Sequence, residues 1–407
     1  WKNDHKRDYF FGEEDKSCEA CVWIQATTAE YARAAGKDFA ATLYDLEKAY
    51  ENVRHYLLAR SAHELGFPLR LLRLALLFYR MPRCITVGGV ATALVSTMQT
   101  IVAGCSFATD LLRMHLIQAI DSVLSVHKSI RAFVVVDDIT LATVGEKGQV
   151  QDVMSAASAD LVYRLEQERL LPVSKTKNAT IASSLQLAKR VATSHKALKG
   201  TATTSVRNLG ADFTAGYVRS TTVRRKRLGN TAKRSRRIKQ LRRAGARTVG
   251  LIKTGLIPAA SYAVSVTGMN NSQLFQLRRQ CRAAACNHTA GRSLFMDLAL
   301  LGKKVDPAYL VNREPIVMWC KGYWDSRLPR IWLARAWNRA YWDMRYSKRP
   351  WSLVAGPAAA VVATMFRIGW RAKGHDTCPS PFEWVTPFGT INILKTCPMT
   401  VGDYVDR

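Results

Sequence analysis

Three acidic residues stand where apolar segments stop. The run Phe39-Ala-Ala-Thr-Leu-Tyr-Asp45 ends on a carboxylate. Its length suits a buried strand, which would set Asp45 at the strand's C-terminal end. A second apolar run, Arg131-Ala-Phe-Val-Val-Val136, enters Asp137-Asp138 and leaves through Ile139-Thr-Leu-Ala-Thr143, the pattern of a hairpin about an acidic turn. Taken alone, an aspartate pair is an ordinary turn signal. Apolar strands on both sides change its meaning, because two carboxylates crowded at the edge of a core are costly unless a cation accompanies them. Hard oxygen donors from two strands suit Mg²⁺, which keeps several waters and takes its remaining ligands from substrate phosphates.

The charge balance points the same way. Sixty Lys and Arg against 31 Asp and Glu leave +29 over 407 residues. A charge this large repels itself in a compact chain and answers a polyanion, so an acidic solubiliser is excluded and an enzyme of small acidic molecules disfavoured. A polyanion partner combined with a carboxylate Mg²⁺ site suggests two-metal phosphoryl transfer. From Phe213 to Met296 no Asp or Glu occurs, and the densest basic part runs from Arg219 to Arg247. Its clusters, Arg224, Arg225, Lys226 and Arg227, then Lys233, Arg234, Arg236 and Arg237, are expected to contact nucleic acid with salt-sensitive affinity.

The remaining signals are weaker. Nine cysteines, an odd number without a framework, read as reduced intracellular thiols. Cys18 and Cys21 form a C-x-x-C without a second pair at zinc-finger spacing. Neither Cys281, Cys286 and His288 nor His375, Cys378 and Cys397 makes a stronger metal pattern. The longest apolar stretch is too short to span a bilayer, so no membrane partner is expected. Because the chain opens on Trp1 rather than Met, an upstream segment is expected.

Several elements must position the acids. Apolar spacing predicts helices over 17–36, 46–66, 68–80, 108–127 and 148–169, with a break at Phe67-Pro68. A strand and turn are expected at 83–89 and another strand near Ala179–Ala182. The mixture indicates an α+β fold with helices packed on a sheet. A basic, mostly helical region follows over 216–312, and a Trp-rich region over 313–407.

These segments carry a resemblance. Asp45-Leu-Glu-Lys-Ala-Tyr-Glu-Asn-Val53 resembles the first catalytic motif of reverse transcriptases of non-LTR retroelements, and Phe133-Val-Val-Val-Asp-Asp-Ile-Thr-Leu141 resembles their paired-aspartate hairpin. Between them, Ile101-Val-Ala-Gly-Cys-Ser-Phe-Ala-Thr-Asp110 is similar to the glycine-led motif that opens a helix beneath template and nucleotide. Leu171-Pro-Val-Ser-Lys-Thr-Lys177 looks like the lysine-bearing motif, and Arg207-Asn-Leu-Gly-Ala-Asp212 like the primer-grip hairpin. The five stand in family order over about residues 12–215, and the narrower likeness is to the elements common in dinoflagellate genomes.

The resemblance implies a right-hand polymerase. A residual fingers segment would occupy 1–37, a ferredoxin-like palm 38–215 and a helical basic thumb 216–312. It implies an RNA-directed DNA polymerase taking RNA template, DNA primer and deoxynucleoside triphosphates, in a nuclear setting. Two Mg²⁺ ions, replaceable by Mn²⁺, would sit on Asp45 and Asp137, with Asp138 and the Leu46 carbonyl contributing. Tyr50 would be the steric gate against a 2′-hydroxyl. Gly104, Cys105 and Ser106 would meet nucleotide or template, Lys175 the leaving pyrophosphate, and Leu209-Gly210 the primer.

Departures are Val135 for the usual aromatic, Glu51 for Asp, Ala103 for Gln and Thr109 for Pro. The basic residues that grip the triphosphate are expected to precede residue 1. Two other readings keep the same motifs: a catalytically silent palm remnant that binds RNA or DNA, and an RNA-dependent RNA polymerase, which Tyr50 disfavours. No oligomeric state is implied.

Overall fold

The computed structural model describes residues 1–13, 16–102, 104–194, 200–286, 290–374 and 379–407. Ala103, His288, His375 and Cys378 lie outside the described residues. The chain divides into two compact units, one formed by Trp1–Cys18 with Asp38–Thr203, the other by Glu19–Lys37 with Thr204–Arg407.

Helix α1 (Cys18–Ala34) lies almost wholly in the second unit. The first unit then runs β1 (Asp38–Tyr44), the single turn α2 (Ala49–Asn52), α3 (His55–Glu64), α4 (Leu69–Arg80) and a hairpin of β2 (Thr86–Val87) and β3 (Val90–Ala91). It continues through α5 (Ala108–Val126), β4 (Arg131–Val135), β5 (Asp138–Gly145), α6 (Gln149–Tyr163), β6 (Ala179–Ala182), α7 (Leu185–Ser194) and β7 (Thr201–Thr203). A five-stranded sheet in the order β4-β5-β1-β6-β7 results, antiparallel except for the parallel pair β6–β7. This is a mixed, mainly antiparallel sheet combined with helices.

The core follows from strand alternation. Ala40, Tyr44, Val134, Ile139, Leu141 and Ala182 belong to one buried cluster with Leu112, Leu116 and Ile120 of α5, Met154 and Leu161 of α6 and Leu187 of α7. The register pairs Tyr44 with Ile139 and Ala40 with Ala182, so these side chains share a face. The Tyr44 hydroxyl, buried with them, donates to Ser158 Oγ at 2.8 Å. Burying such a hydroxyl unpaired would cost about 1–3 kcal/mol.

One expected helix is broken. In place of a continuous helix over 46–66, α2 ends at Asn52 and α3 begins at His55. The Tyr50 carbonyl accepts from Ile101 N–H at 2.8 Å, the Val53 carbonyl from Thr100 N–H at 2.9 Å, and His55 N–H donates to Met98 O at 3.2 Å. Backbone groups spent on the 98–101 segment cannot close helical rungs.

The second unit holds α1, a hairpin of β8 (Ser205–Asn208) and β9 (Ala211–Thr214), and a long run of helices. These are α8 (Thr222–Arg243), the short turns α9 (Val249–Leu251), α10 (Ile257–Ser261) and α11 (Val264–Thr267), α12 (Asn271–Ala285), α13 (Leu294–Leu301), α14 (Pro307–Trp324), α15 (Arg330–Met344) and α16 (Pro357–Arg367). A small sheet of β10 (Arg371–Ala372), β11 (Glu383–Thr386) and β12 (Gly389–Asn392) precedes α17 (Pro398–Val405).

These units differ from divisions after residues 37, 215 and 312. Helix α1 is anchored downstream: Trp23 meets Trp319 edge-on at 5.7 Å, and Tyr31 stacks on Trp332 at 4.4 Å. Asn208 donates to Gln25 Oε1 at 2.9 Å, so the 205–214 hairpin goes with α1. Part of the Trp-rich region is thus the partner surface of α1 and forms no separate body.

Candidate active site

The sheet ends gather the acids. Tyr44 faces Ile139 in the β1–β5 ladder, so the next residue, Asp45, emerges beside Asp138. Val135 pairs with Asp138, which leaves Val136 and Asp137 as the hairpin tip. Asp138 is therefore the first residue of β5 and not part of the tip. Val136 has a φ of 59°, a left-handed backbone that β-branched residues rarely adopt. The Asp138 carboxyl is pushed up, first by desolvation and then by the charges of Asp137 and Asp45. Three negative groups thus share one corner of the sheet.

The segment after β1 is zipped to the loop before β6. Leu46 bridges Val173. Ser174 N–H donates to the Asp45 carbonyl, and Glu47 N–H to the Pro172 carbonyl, each at 2.8 Å. Asp45 N–H donates to Asn178 Oδ1 at 2.9 Å. The backbone at 45 is held from both sides, which aims the side chain. Its Oδ2 lies 3.4 Å from Lys177 Nζ, close enough for charge pairing, yet it is buried and accepts no hydrogen bond. The distance satisfies an ion pair and the angles do not satisfy a hydrogen bond, so its accepting capacity stays open.

Lys175, the lysine selected from the sequence, is exposed in the same loop, and Lys177 is the one that reaches Asp45. Both belong to the motif, but which one faces the acid depends on how Asn178 ties the loop to β1. No spacing rule carries that.

Tyr50 packs half-buried against the core edge. Its phenol is pushed up by burial, relieved by a hydrogen bond with Thr109 and reinforced by the charge of Asp137. Thr109, which stands where the resembled motif has proline, therefore lies beside the ring selected as the gate. Gly104 is exposed with φ +87°, and a Cβ there would meet nothing within 4 Å. Its freedom is conformational rather than steric. Cys105 is half-buried and packed against the core cluster, and Ser106 is exposed.

A cavity of about 440 Å³ opens beside Thr109 and Val136 and is lined by Lys2, Lys6, Arg7 and Lys16. Sequence reasoning gave these residues no role. Three are already paired: Lys2 with Asp110 at 2.9 Å, Arg7 with Asp121 at 2.9 Å and Lys16 with Glu13 at 3.3 Å. The only sequence signal was the basic run at the chain's start.

Among the described residues no three His, Cys, Asp or Glu side chains are clustered tightly enough to form a metal cage. The donors nevertheless suit a hard cation: one buried oxygen without a hydrogen bond, and two carboxylates whose proximity raises the proton affinity of Asp138. They fit as an open set of ligands.

In the second unit Leu209 (φ 45°) and Gly210 (φ 79°) make the tip of the β8–β9 hairpin. Two successive positive φ values are the geometry of the favoured two-residue turn. Tyr262 donates to the Leu209 carbonyl at 2.9 Å and Arg227 to the Gly210 carbonyl at 2.8 Å. Arg227 also lies 4.5 Å over the Tyr262 ring. Arg224 is buried, donates to the Ala260 carbonyl at 2.9 Å, and burial lowers its guanidinium to about 10. This corrects two of the eight expected nucleic-acid contacts: Arg224 is an interior tether, and Arg227 braces the hairpin. Arg225, Lys226, Lys233, Arg234, Arg236 and Arg237 are exposed on α8.

No family model matches the chain, and no curated protein matches it by sequence. Among solved structures, it is similar to telomerase from Candida albicans, determined in complex with a fragment of telomeric RNA, at 11% identity and a TM-score of 0.44. The match covers 87% of this chain and 56% of the telomerase chain, so the protein spans little more than half of that neighbour's length. A likeness of this size carries no residue roles.

Proposed function

We propose that the chain is the palm and thumb of a reverse transcriptase of the non-LTR retroelement type, extending a DNA primer on an RNA template with deoxynucleoside triphosphates. The observation that carries the reading is the meeting of Asp45 with the Asp137–Asp138 hairpin at one sheet corner, from positions about 90 residues apart. The order β1-α5-β4-β5-α6-β6, with sheet order β4-β5-β1-β6, supports a ferredoxin-like palm.

In this reading Asp45 and Asp137 would hold two Mg²⁺ ions, with Asp138 and the Leu46 carbonyl contributing. Such ions, when held there, would supply Lewis acidity that eases loss of the primer 3′-hydroxyl proton and offsets the negative charge of the leaving pyrophosphate. Asp45 supplies a buried oxygen that accepts no hydrogen bond, and a cation would take the place of the Lys177 charge beside it. Lys177 moves from Asp45 toward the pyrophosphate, joined by Lys175. The lysines of the 440 Å³ cavity meet the triphosphate. Tyr50, fixed by Thr109, excludes a 2′-hydroxyl. A silent binding remnant is the second reading, and the observation favouring it is Lys177 standing at Asp45.

Primer extension on an RNA template decides between them. Wild type should incorporate deoxynucleotides with Mg²⁺, and Asp137→Ala should lose at least about 10³-fold. In the same assay Tyr50→Ala should admit ribonucleotides. Binding without incorporation would leave the remnant, and a wild-type preference for ribonucleotides would indicate an RNA-copying RNA polymerase.

A further inference from the structure

Two grooves on the second unit adjoin at Ser272. One, of about 630 Å³, lies between α8 and α12 and is lined by Ser235, Arg236, Phe275, Gln276 and Arg279. The other, of about 400 Å³, lies at the start of α12 against Lys348, Arg349, Trp351 and Arg367. Ser272 lines both, so the two lie end to end along α12 and are described below as one trough. From Ser272 to Ala283 the helix covers about 16 Å, room for a few nucleotides.

The trough has no acidic lining. Arg236, Arg279, Lys348 and Arg349 make no ion pair among the described residues, and all four are exposed. Arg367 is different: it donates to Asn312 Oδ1 at 3.1 Å and lies 4.0 Å from the Trp351 ring, so it is framework. Helix α12 explains the arrangement. Leu274, Leu277 and Cys281 face the core, while Ser272, Phe275, Gln276 and Arg279 fall on the opposite stripe. Phe275 is 47% exposed in the middle of this cationic trough. About half of this apolar ring is left to solvent among cations, and every nucleobase offers it a face.

We infer that this trough is a track for single-stranded polynucleotide, with Phe275 stacking a base and Arg236, Arg279, Lys348 and Arg349 following the phosphates. A duplex hides its base faces within the stack, so the ring selects an unpaired strand. The inference rests on the polymerase reading only for the strand's origin as template or product, and not on the chemistry at Asp137.

The test uses the full chain and labelled oligouridylate, oligothymidylate and a duplex of equal length, titrated by fluorescence anisotropy at several salt concentrations. Phe275→Ala should weaken single-strand binding about fivefold or more, with duplex binding changed less than twofold. The Arg279→Gln/Arg349→Gln double variant should lower the single-strand salt slope by about 1.4, whereas Phe275→Ala should leave it unchanged. The RNA and DNA arms identify the preferred strand, and a selective loss in either supports the track. Equal loss on duplex and single strand, or unchanged binding in both variants, overturns it. Incorporation that survives with no effect at Phe275 sinks the track alone, while a Phe275-dependent track without incorporation sinks the polymerase alone.

Discussion

In the first unit three carboxylates stand at neighbouring strand ends, close enough for Asp137 and Asp45 to raise the proton affinity of Asp138; in the second, exposed guanidinium and ammonium groups are spread along helix faces over a long stretch without an acid. The two arrangements cost different things. Carboxylates converging on a rigid sheet edge repel each other, and the backbone bonds of Asp45 hold them there against that repulsion. Cations on a helix are each solvated and cheap to keep, and their value appears only when a polyanion displaces counterions. A sheet corner can hold reacting atoms to a fraction of an ångström, whereas a helix face supplies affinity that tolerates movement. Chemistry and grip should therefore be separable by substitution.

The largest effect tests that separation. Asp45→Asn keeps the shape and removes one charge, so incorporation should fall by at least about 10³-fold. Affinity for primer–template should stay equal or tighten, because a repulsive charge is gone. Neutralising Arg225, Lys226 and Lys233 to Gln should do the reverse, lowering the salt slope by about 0.9 for each duplex phosphate that is no longer neutralised. If Asn at 45 weakened binding as much as the triple variant, catalysis and grip would not be divided in this way.

Next in size is an opposite response to pH. In the first unit His115 is buried, its Nε2 3.2 Å from the Arg169 carbonyl. Burial, then the Arg169 charge, depress it to about 4 against a slight rise from that carbonyl. A depressed folded value means stability that is complete above the ordinary value near 6.5 and is lost as pH falls toward 4. In the second unit Glu30 is buried and accepts from Ala358 and Ala359 N–H at 2.7 and 3.1 Å. Burial pushes it up to about 7, against the opposing pull of Arg33 and the two amides. A raised folded value means stability that is complete below the ordinary 4.5 and lost as pH rises through about 7.

Each effect is of order 3 kcal/mol. Denaturant melts between pH 4.5 and 8 should show Glu30→Gln abolishing the alkaline loss and His115→Asn abolishing the acid loss. Parallel pH profiles for the two variants would refute the opposition.

Local pattern told much of the scaffold. The strand expected at 39–45 is Asp38–Tyr44, the one near Ala179–Ala182 has those bounds, and the helix expected at 108–127 is Ala108–Val126. Each is a short-range consequence of alternation or of 3.6-residue spacing. What escaped depends on distant partners. The break at Val53 needs the 98–101 backbone, the placement of Lys177 needs Asn178, and the burial of Arg224 needs the Ala260 carbonyl. A basic cluster on a helix also has an inner face, and α8, in which every second residue on average is Lys or Arg, hides which arginine faces inward. The exposed Phe275 was overlooked because a lone aromatic at helical spacing reads as core.

The smallest effect concerns the hairpin tip itself. Val136 holds a left-handed backbone at φ 59° between the apolar strand and Asp137. For a β-branched residue that conformation costs about 1–2 kcal/mol, which glycine would recover. Against it, glycine adds unfolded-state freedom worth about 0.5–1 kcal/mol, and the loss of half-buried methyl groups costs about 1 kcal/mol. These contributions nearly cancel, so Val136→Gly should leave the melting temperature within a few degrees of wild type. Val134, fully buried two residues earlier in regular β4, offers no strain to recover. There the same substitution should cost about 3 kcal/mol or more. Thermal melts of the two variants compare a strained turn with a relaxed strand in one hairpin. Equal destabilisation would mean that the Val136 backbone stores nothing, and that Asp137 is held only by the register between Val135 and Asp138.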